Sequence, residues 1–186
     1  NENQRRSRAS LTKIMTSYVI FKRLKEEFIT LDDEVKISEK AWSTGGSRSF
    51  IEVGKIIRLE DLLKGMIIQS GNDASVALAE HVAGSEGTFV LFMNDYAQQL
   101  GMTNSRFENS SGLPHEEQYT TAKDMAILSS AMIEEFPEFY KWYSEKEFTY
   151  NNISQTNRNK LLFTDSTVDG LKTGWTQMAG YCLVTS

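Results

Sequence analysis

The strongest candidates for chemistry in this 186-residue chain are a serine and a lysine one helical turn apart. Ser10 and Lys13 open a strongly apolar segment. Side chains at positions i and i+3 of a helix lie on one face, about 5–6 Å apart between their Cβ atoms, so the lysine can take a proton from the serine. Free backbone N–H groups in the first turn also favour developing negative charge. This spacing predicts an activated nucleophile, although a serine at a helix start can equally be an ordinary cap.

Two further motifs follow in the chain, and each occurs once. A Ser-Gly-Asn motif occupies residues 70–72, and a Lys-Thr-Gly motif occupies residues 172–174. Any one of the three motifs is weak evidence, because short patterns arise by chance. Their order along the chain and their structural settings make the combination specific.

The elements expected around the first two motifs are helices. Apolar residues recur at helical spacing from Ser10 to about Glu27, nearly all round the helix, which is typical of a helix buried in the middle of a domain. A second helical pattern begins at Leu59 and stops at Ser70. A third runs from Ala74 to Ala83 and is stopped by Gly84. The Ser-Gly-Asn motif is therefore expected at a tight corner that faces a cleft.

The rest of the chain changes from helices to strands. Helices are expected over residues 87–100 and from Thr121, a capping residue, to a point before Pro137. Alternating and short apolar runs then predict strands, with a hairpin that joins residues 171–175 to residues 179–184. We expect an α+β fold in which a central helical cluster packs on an antiparallel sheet. The chain is interpreted as one catalytic domain, residues 1–186, and flanking strands are expected outside it because two strands alone are marginal.

Composition excludes several classes of protein. The net charge of −5 and the pI near 5.2 argue against a general nucleic-acid binder. His81 and His115 lie in no ligand-spaced cluster, so neither a metal site nor a cofactor is expected. Cys182 stands alone in an apolar run and is interpreted as inert core packing. No apolar run approaches the roughly 20 residues that cross a bilayer, and the N-terminus lacks a signal-peptide pattern, so the chain as written is expected to be soluble.

The three motifs together resemble the signature of penicillin-binding proteins and class A β-lactamases. The sequence is similar to the low-molecular-mass penicillin-binding proteins that act as D-alanyl-D-alanine carboxypeptidases. Gly71, where class A β-lactamases usually carry Asp, favours this branch, and their Glu-x-x-Leu-Asn motif is absent. The resemblance implies a β-lactamase/transpeptidase-like fold. It is carried by residues 9–13, 69–74, 121–126, 157–159 and 168–174.

The resemblance also implies catalytic roles. Ser10 attacks the carbonyl of the penultimate D-Ala, and Lys13, held neutral by burial and neighbouring cations, accepts its proton. Ser70 relays a proton to the leaving D-Ala amine. Asn72 holds the substrate amide and orients Lys13.

Substrate-binding roles are implied for the Lys-Thr-Gly strand and its surroundings. Lys172 and Thr173 anchor the free carboxylate, and Gly174 lets the substrate backbone lie against the strand. The backbone N–H groups of Ser10 and Trp175 meet the oxyanion. Relatives commonly carry His or Thr at position 175, so the Trp175 side chain is expected to narrow or gate the cleft. Arg158 is a candidate for binding the substrate carboxylate, and a plain surface arginine is the alternative.

The expected function is removal of the terminal D-Ala from peptidoglycan stem pentapeptides, with β-lactam antibiotics as covalent inhibitors. A class A-like β-lactamase and a catalytically silent cell-wall-binding module are the alternatives. The resemblance alone implies a cell-envelope location at the outer face of the cytoplasmic membrane, which is the periplasm in a Gram-negative cell. It also implies export and a C-terminal amphipathic membrane anchor, and neither segment is in this sequence.

Overall fold

The computed structural model describes residues 1–186 and has an α+β architecture. Its helices are α1 (Thr12–Lys25), α2 (Glu39–Ser43), α3 (Leu59–Ile68), α4 (Asn72–Ala83), α5 (Glu86–Gln99), α6 (Ala122–Glu135), α7 (Pro137–Tyr140) and α8 (Leu161–Thr164). Its strands are β1 (Glu34–Lys36), β2 (Ile56–Arg58), β3 (Glu147–Tyr150), β4 (Ile153–Thr156), β5 (Leu171–Thr176) and β6 (Gly180–Thr185). Short 3₁₀ turns cover Ala9–Leu11 and Lys141–Ser144. None of the helices combines the length and the hydrophobicity needed to cross a membrane.

Helix α1 is the central helix of the domain, as its all-round hydrophobicity predicts. Every residue from Thr12 to Phe21 is buried, and the helix packs against α3, α4, α5 and α6. Burying each large apolar side chain contributes about 1.5–3 kcal/mol, so α1 is a rigid support. The helix begins later than the sequence predicts, because residues 9–11 form a 3₁₀ turn that carries Ser10.

The corner between α3 and α4 is held by buried polar contacts. Asp73 is 1% exposed, and its carboxylate accepts hydrogen bonds from the backbone N–H groups of Ser49 at 2.8 Å and Ile51 at 3.4 Å. A Cβ atom at position 71 would lie 1.9 Å from the Ser49 hydroxyl, so only glycine fits there. Helix α4 begins at Asn72, two residues before the predicted start.

Helix capping agrees with the sequence. The Thr121 hydroxyl accepts a hydrogen bond from the backbone N–H of Asp124 at 3.1 Å, which confirms the predicted cap of α6. Ser85 caps α5 in the same way through the backbone N–H of Thr88 at 3.0 Å.

The strands form three separate antiparallel pairs, β1 with β2, β3 with β4, and β5 with β6. The predicted C-terminal hairpin is confirmed, and its register places Lys172 opposite Val184 and Trp175 opposite Tyr181. One of the short apolar runs that predict strands, at residues 160–163, is not a strand: its last three residues lie in the single turn α8. The strand β5 packs against the 3₁₀ turn before α1, which brings the third motif to the first.

Candidate active site

Ser10 and Lys13 contact each other as their spacing predicts. The Lys13 ammonium nitrogen lies 3.1 Å from the Ser10 hydroxyl oxygen. It also donates hydrogen bonds to the Asn72 side-chain oxygen at 2.7 Å and to the backbone carbonyl of Ser111 at 2.5 Å. Three acceptors therefore fix the amine beside the serine hydroxyl, in the arrangement that an activated nucleophile needs.

Lys13 is buried and electrostatically tuned. The side chain is only 1% exposed. Burial lowers the pKa of Lys13 well below its usual value, and the positive charge of Lys172 lowers it further, while the carboxylate of Asp73 opposes both effects. A lysine with a lowered pKa can hold a neutral amine, the form that accepts a proton.

Asn72 joins the second motif to the first. Its side-chain oxygen accepts the hydrogen bond from Lys13, while its side-chain nitrogen donates to the backbone carbonyl of Gly45 at 2.7 Å. The amide is thus oriented from both ends and lies beside Lys13, as the sequence predicts. Its hydrogen-bond partner Gly45 lies in the loop before β2.

Ser70 lies at the corner between α3 and α4 and lines the same cavity as Ser10. Its backbone has a φ of +67°, a left-handed conformation that non-glycine residues adopt at a cost of about 1–3 kcal/mol. Its hydroxyl oxygen is buried and has no hydrogen-bond partner. A strained residue with an unpaired hydroxyl at the cavity wall is suited to exchanging a proton with a bound molecule.

The two polar residues of the Lys-Thr-Gly motif have different surroundings. Lys172 is 2% exposed, and its ammonium donates to the backbone carbonyl of Thr173 at 3.1 Å. Burial, followed by the charge of Arg158, lowers the pKa of Lys172 to about 7. Thr173 lines the cavity, whereas Lys172 lies behind the cavity wall. A carboxylate in the cavity would therefore meet the hydroxyl of Thr173 directly and feel Lys172 through its charge.

Gly174 is required for a reason that the sequence did not indicate. A Cβ atom at this position would lie 3.0 Å from both the backbone nitrogen of Ser10 and the carbonyl oxygen of Arg8. The missing side chain thus lets β5 approach the 3₁₀ turn. Room for a substrate backbone along the strand, the reason given by the sequence, stays a prediction. Close approach keeps Ser10 beside the strand.

The Trp175 side chain lies at the cavity rim. It is 59% exposed, and its ring centroid lies 6.2 Å from that of Tyr181 on β6. Both aromatic residues line the cavity, so the pair forms one wall of the cleft. Arg158 lines the cavity as well, and its side chain is exposed and makes no ion pair with an acidic residue.

The cavity that joins these residues has a volume of about 630 Å³. Cys182 also lines it, and its partly buried side chain packs against the hydrophobic core, as the sequence predicts. Burial raises the pKa of Cys182, which disfavours the reactive thiolate. No group of three or more His, Cys, Asp or Glu side chains is arranged to hold a metal ion.

The sequence did not indicate the segment around residues 110–112, which closes the site from behind. The Ser110 carbonyl accepts hydrogen bonds from Thr16 at 2.6 Å and Ser75 at 2.7 Å, and the Ser111 carbonyl accepts one from Lys13. Gly112 has a φ of +84°, and a Cβ atom there would lie 1.9 Å from the carbonyl oxygen of Ala9. The Ser-Ser-Gly sequence at residues 110–112 could have indicated a turn here, since glycine is typical of turns.

Replacing Gly112 by alanine should therefore loosen the site. The left-handed backbone and the collision with Ala9 together should cost about 1–3 kcal/mol of stability. The Ser111 carbonyl would move away from Lys13, so covalent reaction at Ser10 should slow as well. Thermal melting and a stopped-flow acylation assay measure the two effects. Gly101→Ala is the control, because its φ of +78° is similar but no atom lies within 4 Å of the added Cβ. Equal acylation rates in both variants would contradict this role.

The fold is that of penicillin-binding proteins. The structure superposes on penicillin binding protein 5 from Haemophilus influenzae with a TM-score of 0.96 and 48% sequence identity, covering 100% of this chain and 55% of that one. It superposes on penicillin binding protein 6B from Escherichia coli with a TM-score of 0.95 and 45% identity, covering 100% of this chain and 61% of that one. These matches confirm the predicted fold class.

The chain belongs to the D-alanyl-D-alanine carboxypeptidase family, whose match extends over residues 1–186. It is 49% identical to the D-alanyl-D-alanine carboxypeptidase DacC of Escherichia coli, over 100% of this chain and 48% of that protein. It is 48% identical to DacA of Haemophilus influenzae, with the same coverage of each protein. The chain spans about half the length of the curated relatives it matches. The resemblance seen in the motifs is confirmed.

Proposed function

We propose that the protein is a serine D-alanyl-D-alanine carboxypeptidase that removes the terminal D-Ala from peptidoglycan stem pentapeptides. The observation that carries the proposal is the 3.1 Å contact between the Ser10 hydroxyl and the amine of a buried Lys13. Membership of the family supports the same reaction. The reaction passes through an ester between the substrate and Ser10.

Acylation begins when the Ser10 oxygen attacks the carbonyl carbon of the penultimate D-Ala. Neutral Lys13 accepts the hydroxyl proton, and the lowered pKa of Lys13 makes the neutral amine accessible. Asn72 and the Ser111 carbonyl hold the amine in place throughout. Positioning of this kind removes much of the entropic cost of bringing nucleophile and base together.

Charge develops on the carbonyl oxygen during the attack, and the backbone N–H groups of Ser10 and Trp175 are the proposed donors to it. Gly174 lies close to the backbone nitrogen of Ser10, which places Trp175, the next residue of β5, near Ser10 and supports this assignment. Ser70, whose hydroxyl has no other partner, is the proposed proton donor to the leaving D-Ala nitrogen. Water then attacks the ester, with Lys13 again accepting a proton, and releases the shortened peptide.

The free carboxylate of the substrate is assigned to Thr173 and Arg158, with Lys172 behind them. Arg158 is supported by its place on the cavity wall and its lack of an acidic partner. An arginine with an open guanidinium can bind a carboxylate through two parallel hydrogen bonds. The buried Lys172 adds positive charge in a region of low dielectric constant, where charges act more strongly than in water.

Peptidoglycan and β-lactams are the proposed partners, and the cell envelope is the proposed location. Stem peptides lie outside the cytoplasmic membrane, at its outer face, or in the periplasm of a Gram-negative cell. A β-lactam presents a strained amide and a carboxylate to the same residues, so it is expected to acylate Ser10 and to leave slowly. Attachment to the membrane through a C-terminal amphipathic anchor is a proposal about the longer protein.

A penicillin-labelling experiment tests this function. The protein, incubated with benzylpenicillin and digested, should carry a persistent adduct on the peptide containing Ser10 when it is examined by mass spectrometry. The protein should also release D-Ala from diacetyl-Lys-D-Ala-D-Ala. Rapid penicillin turnover would instead indicate a β-lactamase, and a folded protein with neither adduct nor D-Ala release would indicate a catalytically silent wall-binding module.

A further inference from the structure

A second cavity adjoins the catalytic one and is not used by the reaction with D-Ala-D-Ala. Its volume is about 600 Å³, and it shares Arg158 and Lys160 with the catalytic cavity. Gln69, the residue before Ser70, forms part of its wall, as do Phe50 and Phe163. A space of this size is within the usual range for sites that bind small organic groups.

The position of the cavity relates it to one part of the substrate. In the proposed reaction, the leaving residue has its nitrogen at Ser70 and its carboxylate at Arg158. Both ends of that residue therefore lie beside walls of the second cavity, because Gln69 and Arg158 line it. The remaining substituent on its α carbon is the side chain, which in D-Ala is a methyl group. Because the two cavities share Arg158 and Lys160, a longer side chain at this position can extend into the second cavity.

Two exposed phenyl rings form the apolar part of the cavity lining. The side chains of Phe50 and Phe163 are 48% and 47% exposed, although phenylalanine normally avoids water. Phe50 has a φ of +60°, a strained conformation that tends to occur at ligand sites. Its neighbour Ser49 is held in place, since the Ser49 N–H donates to Asp73 and the Ser49 carbonyl accepts from Gln155. The exposed ring is thus displayed by a fixed backbone.

Some polar groups of the cavity also lack a partner. No acidic residue lines the cavity, and neither Arg158 nor Lys160 forms an ion pair. Gln155 is 3% exposed, and its side-chain oxygen has no hydrogen-bond partner. An added aromatic ring can pack against the phenyl rings in an edge-to-face or offset-stacked arrangement. A nearby cation is attracted to the face of such a ring. Arg158 is already assigned to the substrate carboxylate, which leaves the two rings as the apolar surface that a side chain can contact.

We propose that this second cavity is a binding site for the side chain of the leaving residue, and that the protein releases large aromatic D-amino acids from peptides ending in D-Ala-D-Phe or D-Ala-D-Tyr. This inference rests on the proposed function, since it uses the same attack by Ser10. The amide bond between D-Ala and the aromatic residue breaks, the Ser10 ester forms, and water later hydrolyses it. The aromatic D-amino acid leaves with the proton supplied through Ser70.

The test compares the peptides diacetyl-Lys-D-Ala-D-Xaa, in which the last residue is D-Ala, D-Phe or D-Glu. The value of kcat/KM for the D-Phe peptide should be at least comparable to that for the D-Ala peptide. Phe163→Ala should lower the D-Phe to D-Ala ratio about tenfold, chiefly through KM, because it removes one aromatic contact. Ser154→Phe, which fills the cavity from the exposed face of β4, should lower the same ratio. Phe28→Ala is the matched control, since Phe28 is 70% exposed and lines a different cavity.

The outcomes separate this inference from the proposed function. If the protein released D-Ala but released D-Phe at least about 100-fold more slowly, the inference would be overturned and the proposed carboxypeptidase function would stand. A ratio that neither Phe163→Ala nor Ser154→Phe changes would have the same consequence. The protein could instead prefer the D-Glu peptide, with a preference that replacing Lys160 removes and replacing Phe163 does not. That result would assign the cavity to acidic side chains and overturn the aromatic assignment. Failure to release any of the three residues, together with no penicillin adduct, would overturn both.

Discussion

Replacing Ser10 by alanine should abolish covalent reaction with benzylpenicillin and lower D-Ala release by at least about 10⁴-fold. The hydroxyl oxygen is the only atom of the pair that forms the ester, so no neighbouring group compensates for it. Release of D-Ala from diacetyl-Lys-D-Ala-D-Ala, followed by a coupled assay, measures the loss of turnover. Mass spectrometry of the intact protein measures the adduct.

The fold should survive this substitution, which makes the result interpretable. Ser10 accepts one hydrogen bond from Lys13, and Lys13 keeps its contacts with Asn72 and Ser111. We expect a change in unfolding free energy below about 1 kcal/mol, visible as a small shift in Tm. Ser7→Ala, three residues earlier and outside the catalytic cavity, should leave both assays unchanged. If Ser10→Ala retained an adduct elsewhere, for example on Ser70, the assignment of the nucleophile would be wrong.

Local pattern was enough to predict the elements that carry the site. The contact between Ser10 and Lys13 follows from helical spacing, the cap at Thr121 from its residue type, and the hairpin from its alternation and turn. Burial of α1 could be predicted because its hydrophobicity extends round the helix. These features depend on residues that are neighbours in the chain.

Features that depend on distant residues could not be predicted in this way. Lys13 meets the carbonyl of Ser111, 98 residues away, and no property of either residue indicates the pairing. The burial of Lys172 depends on which face of the β5–β6 hairpin packs on the 3₁₀ turn. The second cavity likewise needs α8 and the loop around Phe50 to meet, although they are far apart in sequence.

The lysine is the other residue whose loss should be severe. Lys13→Met keeps an unbranched side chain of similar length but provides no base, so acylation by benzylpenicillin should slow by about 10³-fold, within the range for general-base catalysis. The substitution leaves the Asn72 oxygen and the Ser111 carbonyl without a donor, which should cost about 1–3 kcal/mol. Stopped-flow acylation and a thermal melt measure the two quantities. An acylation rate within a few-fold of the wild type would rule out Lys13 as the base.

The pH dependence of acylation identifies the form of Lys13 that acts. A base must be deprotonated, so the rate should rise with pH through the pKa of Lys13 and then level off. Burial and the charge of Lys172 lower this pKa, so the acylation rate should rise at a pH below the usual lysine pKa of about 10.4. Lys13→Cys followed by aminoethylation restores an amine at the same place with a lower intrinsic pKa, because sulfur withdraws electrons. The treated variant should regain acylation with its rise shifted to lower pH, and wild-type protein given the same reagent controls for modification of Cys182. Recovered activity with an unshifted rise would mean that a group other than the amine at position 13 limits the rate.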